Sequence, residues 1–198
     1  MEECVQSMVM PVGVPWREPT MTDRAATAQE AEFARLFEEF SSPIYNYVLR
    51  MVGDPDRAAD VTQDTFIKAY RKLDTLTDAS STRSWLYRIA TNTAIDDMRR
   101  RRMIASVPDD SPVFMNRADE RPGPEAQAMA GTLDERVQRA LLTLKPNHRE
   151  CLLLSDLEDM SAHQIGDVMG LSYAAVRTLL CRARGEMRRA LAAEGFAR

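Results

Sequence analysis

Near the C-terminus Tyr173, Arg177, Cys181, Arg184 and Arg188 recur at intervals of three or four, the spacing of one face of a helix. Guanidinium forks on such a face can grip phosphates and the acceptor edge of guanine in a major groove. Thr178 and Arg182 stand beside this stripe, while Val176, Leu180, Ala183, Met187 and Leu191 form an apolar stripe that would dock the helix on a core. Far earlier in the chain, Trp85, Arg88, Asn92, Asp96 and Arg99 line up at the same spacings and run into Arg100, Arg101 and Arg102. An indole, an amide and guanidinium groups together suit single-stranded nucleic acid, whose unstacked bases are held on rings and read on their edges.

Helices must position both stripes. Residues 161–169 predict a short helix, Gly170-Leu171-Ser172 a turn, and Tyr173 the start of a longer helix with Ser172 as its N-cap, which together make a helix-turn-helix. Pro146 suits the first turn of a preceding helix, and Thr132-Leu133-Asp134-Glu135 is a capping box for another. In the N-terminal half, Thr27-Ala28-Gln29-Glu30 predicts a helix start before Phe33, Leu36, Phe37 and Phe40. Ser42-Pro43 predicts a restart, leading through Ile44, Tyr45, Val48 and Met51 to a stop at Gly53. Asp54-Pro55 opens the next helix, residues 74–81 read as a loop, and residues 82–102 as a helix with Leu86, Ile89, Ala90 and Thr93 toward a core. No segment alternates with period two between turn residues, so the expected class is all-α, in two small helical domains.

Proline and charge set the expected boundaries. Of the ten prolines, Pro108, Pro112, Pro122 and Pro124 cluster between the two halves, in a stretch rich in Asp and Glu. The reading is an unstructured extension over 1–26, a domain over 27–103, a flexible acidic linker over 104–130 and a second domain over 131–198. The net charge of −4 conceals segregation. Residues 83–102 and 177–198 each hold six arginines against two acids, whereas residues 150–167 hold five acids and no Lys or Arg. A solvated face explains one such run; two basic poles on two helices point to nucleic acid.

Several classes are excluded. No apolar run approaches the ~20 residues of a membrane span, and Glu2 and Glu3 stand where a signal peptide wants positive charge, so a cytoplasmic location is expected. Cys4, Cys151 and Cys181 fit neither a disulfide framework nor a CxxC metal site. His148 and His163, the only histidines, are expected at the surface or at helix ends. No metal, cofactor, catalytic residue or small-molecule substrate is expected, since no triad, ligand cluster or Gly-rich phosphate loop accompanies them.

Longer stretches resemble a known family. Asp60-Val61-Thr62-Gln63-Asp64-Thr65-Phe66-Ile67-Lys68-Ala69-Tyr70 is similar to D-L-V-Q-E-T-F-x-x-A-W, and Trp85-Leu86-Tyr87-Arg88-Ile89-Ala90-Thr91-Asn92-Thr93-Ala94-Ile95-Asp96 to W-L-Y-R-I-A-x-N-x-x-x-D. Leu144-Lys145-Pro146, Arg149-Glu150, Gln164-Ile165-Gly166 and Val176-Arg177-Thr178 follow in the family's order. Over residues 32–191 the chain resembles a bacterial extracytoplasmic-function sigma factor, which holds only sigma regions 2 and 4.

The resemblance implies roles. Asp60, Gln63, Asp64 and Phe66 would dock on the clamp helices of the largest RNA polymerase subunit, and region 4 on the flap. The loop over 74–81, with Arg88 and Asn92, would capture a flipped base of the −10 element, alongside Trp85, Asp96, Arg99 and Arg100. Tyr173, Arg177, Thr178, Arg182, Arg184 and Arg188 would read the −35 element as duplex. The acidic linker would thread toward the RNA exit path, and an anti-sigma factor would hold the protein inactive. The sequence departs from the pattern at Leu179, where the family often has Arg, and at Gln164, where Glu is common. Asp96 would accept from a cytosine amine or pair with Arg100. The alternative reading is a stand-alone dimeric helix-turn-helix regulator, which needs paired half-sites about one turn apart.

Overall fold

The computed structural model describes residues 21–76, 81–105 and 135–196. Among the described residues all regular elements are helices, as the absence of alternating patterns predicts. α1 runs over Met21–Val52, α2 over Pro55–Arg71 and α3 over Thr82–Ala105, with a 3-10 turn at Leu73–Thr75. α4 (Glu135–Thr143), α5 (Pro146–Asp156), α6 (Ala162–Met169) and α7 (Tyr173–Ala193) make the second half.

Two expected starts are not used. α1 passes straight through Pro43 and begins at Met21, so Ser42-Pro43 does not divide it and Thr27 lies inside it. The residues 21–26 expected in an unstructured extension are its first turns, and residues 104–105 of the linker expected over 104–130 are the end of α3, while 1–20, 106–130 and the start of the capping box before Glu135 lie outside the described residues. Pro43 removes one ladder donor, yet Ile44, Tyr47, Val48 and Met51 beyond it are at most 1% exposed. Burying each of these contributes about 1.5–3 kcal/mol, enough to carry the helix through.

The other signals act where they fall. Gly53 ends α1 with φ 77°, its N–H donating to Leu49 O at 2.8 Å. Asp54 caps α2 by accepting from Arg57 N at 3.0 Å. Arg57 Nε reaches across to Asp97 Oδ2 on α3 at 3.1 Å, Lys68 Nζ donates to Thr93 Oγ1 at 3.0 Å, and the Tyr47 and Thr91 hydroxyls meet at 2.7 Å. These polar ties fix α3 against α1 and α2 around a core of Leu86, Ala90 and Ala94.

In the second half Ser161 and Gln164 form a reciprocal capping box on α6. Gly170 closes α6 at φ 67°, and Ser172 accepts from Ala175 N to start α7. Val176 and Ala183 are fully buried, with Leu180, Met187 and the family-departing Leu179 half-buried against them. The two halves touch: α6 packs on α3, and α4 and α5 pack on α1. Leu142 lies over Gly53, where a Cβ would come within 2.6 Å of it.

Candidate nucleic-acid and partner surfaces

α7 presents its first three turns to solvent. Tyr173, Arg177, Thr178, Cys181 and Arg182 are all exposed, with Val176 turned into the core beneath them. Thr178 donates its hydroxyl to Ala174 O at 3.0 Å. The stripe then divides. Arg184 pairs with Asp156 Oδ1 at 2.6 Å and donates to Ser155 Oγ at 3.2 Å, and with Arg188 it lines a groove between α4, α5 and α7. The difference is one of neighbours: the later turns lie along α5, which supplies Asp156 and Ser155 to Arg184. That groove, about 960 Å³, is lined by Leu141, Leu153, Leu157, Met187, Leu191 and Phe196.

On α3 the second stripe is mostly open. Arg88, Asn92, Asp96, Arg99 and Arg100 are exposed. Trp85 is the exception at 9% exposure, packed in the core, so its ring is not offered to a base in this arrangement. Asp96 pairs with Arg99 at 3.8 Å, not with Arg100. Asp97 is held by Arg57 and Arg101. In the loop over 74–81, residues 77–80 lie outside the described residues.

α2 carries a surface of the other kind. Asp60, Gln63 and Asp64 are exposed, while Phe66 is 4% exposed and sits edge-on to Phe33 and Phe37 at 6.3 and 4.9 Å. Phe66 therefore shapes the surface from below. Beside Gln63 an apolar groove of about 720 Å³ runs between α1 and α2, floored by Phe33, Phe37, Phe66, Ile67 and Tyr70. Acids flanking aromatic rings do not suit DNA; they suit a protein partner.

Residues that no spacing rule singles out join the two halves. Arg83 donates to Glu158 O at 2.6 Å and reaches the Glu158 carboxylate at 3.3 Å, where the Tyr87 hydroxyl also donates. Burial, then the hydrogen bond to Glu158, pushes the Tyr87 phenol well above its ordinary pKa, so it stays a donor. Arg149 closes the end of α4 by donating to Leu141 O at 2.9 Å and Leu142 O at 2.7 Å, and it also donates to Met51 O at the end of α1. His148, expected at the surface or a helix end, is in the first turn of α5 but buried, with Nδ1 2.7 Å from Glu186 Oε2. Arg83 and Tyr87 with Glu158, Arg149 with Met51 and His148 with Glu186 are each tens of residues apart in sequence, so only the fold pairs them. Cys151 is core, its thiol pushed by burial to about 12.

The described geometry is that of a helical bundle followed by a helix-turn-helix, with two basic faces and one acidic-aromatic face. Comparison with known proteins gives the family. The Sigma-70 region 2 profile matches residues 36–103 and the Sigma-70, region 4 profile residues 134–187. The RNA polymerase sigma factor YlaC of Bacillus subtilis (strain 168) is 31% identical over 156 residues, covering 78% of this chain and 88% of that protein. The ECF RNA polymerase sigma factor SigE of Mycolicibacterium smegmatis is 32% identical over 187 residues, 90% of this chain and 70% of that protein. The sigma factor RpoE of Bartonella quintana, solved with the anti-sigma factor NepR, superposes with TM-score 0.65 at 24% identity over 81% of this chain and 96% of that one, a likeness of fold. The chain belongs to the sigma-70 family of RNA polymerase sigma factors, in its extracytoplasmic-function group. It is a transcription initiation factor that binds core RNA polymerase and directs promoter-specific initiation, and the two regions in family order set aside a stand-alone dimeric regulator. No helix among the described residues is long and apolar enough to cross a membrane.

Proposed function

We propose that the two basic faces divide promoter reading between them. Tyr173, Arg177, Thr178 and Arg182 on α7 read the −35 element as duplex, with Arg184 and Arg188 at the margin of that face. Arg88, Asn92, Asp96, Arg99 and Arg100 on α3 hold the −10 element once it is melted, with Trp85 supporting them from the core. A base captured out of the stack stabilises open DNA, so opening needs no nucleotide hydrolysis. The observation that carries the reading is the sidedness of α7: one face is solvent-exposed Tyr, Arg and Thr, the other is Val176 and Ala183 at 0% exposure.

Asp60, Gln63 and Asp64, with the aromatic groove beside them, dock on the clamp helices of the largest polymerase subunit, and the groove of α4, α5 and α7 takes the flap. Domains over 27–103 and 131–198 joined by an acidic linker, action in the cytoplasm, absence of catalysis of its own and control by an anti-sigma factor complete the proposal. Acidic faces leave little net attraction to DNA, so the protein alone binds promoters weakly.

The test is initiation by reconstituted holoenzyme. R177E is expected to remove dependence on the −35 sequence, and R99E with R100E to permit closed binding while blocking permanganate-detected melting. Unchanged start-site choice and melting in both variants would sink the reading.

A further inference from the structure

His163 belongs to none of the surfaces above, yet its imidazole lies against the Tyr173 ring, with centroids 4.7 Å apart and planes inclined by 31°. The Arg177 guanidinium carbon stands 5.8 Å from the centre of the same ring. Three planar side chains from two helices thus share one patch, and all three are exposed, Tyr173 to 45%. Among the described residues neither imidazole nitrogen has a protein partner, in contrast to buried His148 on Glu186. Asp167, one turn along α6, is exposed and makes no ion pair with His163.

Ring overlap of this kind holds the two side chains in register but does not explain why the outer ring is a histidine. Position does. His163 is in the first turn of α6 and Tyr173 is the first residue of α7. In a helix-turn-helix the first helix crosses the DNA backbone while the second enters the groove with its N-terminal residues on the bases. An imidazole at that crossing meets phosphate oxygens, to which it donates one N–H when neutral and two when charged.

We infer that His163 is a DNA-backbone contact of this chain: its N–H donates to a phosphate oxygen flanking the −35 element while its ring sets the orientation of Tyr173. The inference rests on the −35 reading of α7 and extends that surface onto α6.

The experiment compares H163A, H163F and H163R holoenzymes for binding to a −35 promoter duplex, and repeats the binding on duplexes carrying single uncharged methylphosphonates along the −35 backbone. H163F keeps a ring against Tyr173 and loses only the donor. The expected result is that H163A and H163F each weaken binding by about three- to tenfold, the net weight of one hydrogen bond, with H163R close to the native protein. One methylphosphonate is expected to weaken the native holoenzyme and not H163F. Native affinity of H163F, or equal sensitivity of both proteins to every methylphosphonate, would overturn the phosphate contact. R177A in the same assay separates the two readings: if it too binds as the native protein does, the −35 role of α7 fails first.

Discussion

Glu150 sits where a carboxylate is least at home, 4% exposed in α5 and close enough to Tyr47 of α1 for its charge, after burial, to help push that phenol's pKa upward. Burial pushes the Glu150 carboxyl itself up from about 4.5 to about 7. The folded protein therefore holds the proton more tightly than the unfolded chain, so the cost of burying Glu150 is absent below about pH 4.5 and complete above about pH 7. E150Q is expected to raise stability at pH 8 by about 1–3 kcal/mol and to leave it nearly unchanged near pH 4.5. Denaturant unfolding at the two pH values checks this; equal gains at both would show that charge is not the cause. The pair of Arg184 and Asp156 is the opposite case, about half-exposed on both sides, and contributes little to stability.

At the scale of an element, the helix-turn-helix depends on how closely α6 approaches its own turn. A Cβ on Gly166 would lie 2.6 Å from the Leu171 carbonyl oxygen, a backbone atom that cannot swing aside. G166A is expected to cost about 1–3 kcal/mol and to displace α7 from its seat. Gly185, inside α7, has nothing within 4 Å of such a Cβ, so G185A is expected to stabilise by about 1 kcal/mol through helix propensity. Thermal melts of the two variants should move in opposite directions; a shared direction would mean the turn is looser than its geometry indicates. The same elements explain the site: Ser161 and Ser172, as caps, set where His163 and Tyr173 come to lie.

For the whole molecule, the contact between halves conflicts with simultaneous reading of both promoter elements. Elements about 25 base pairs apart are separated by roughly 85 Å of duplex at 3.4 Å per pair, whereas α6 here packs directly on α3. Residues 106–134 join α3 to α4, and at about 3.3 Å each they reach roughly 95 Å when extended, enough to span that distance. On the proposed reading of the two faces, promoter binding requires the closed arrangement to open, with Glu158, Arg83 and Tyr87 as its polar latch. Y87F combined with E158Q is expected to enlarge the radius of gyration in small-angle scattering and to speed assembly with core polymerase. Superimposable scattering curves for native and variant proteins would show that the latch holds nothing.

The sequence by itself determined the all-α class, the helix start at Asp54-Pro55, the cap at Ser172, the stop at Gly53, the turn at Gly170 and the arginine face at the start of α7. Each is a local matter of backbone donors, side-chain reach and helical period, which neighbours a few residues away decide. Tertiary structure alone decided that α1 continues through Pro43, that Trp85 and Phe66 lie beneath their surfaces, and that Arg184 turns to Asp156. It alone brought Glu158 to Tyr87, Arg149 to the end of α1 and His163 to Tyr173. Those outcomes depend on which apolar faces bury one another, a balance set by groups far apart in the chain and invisible to any window along it.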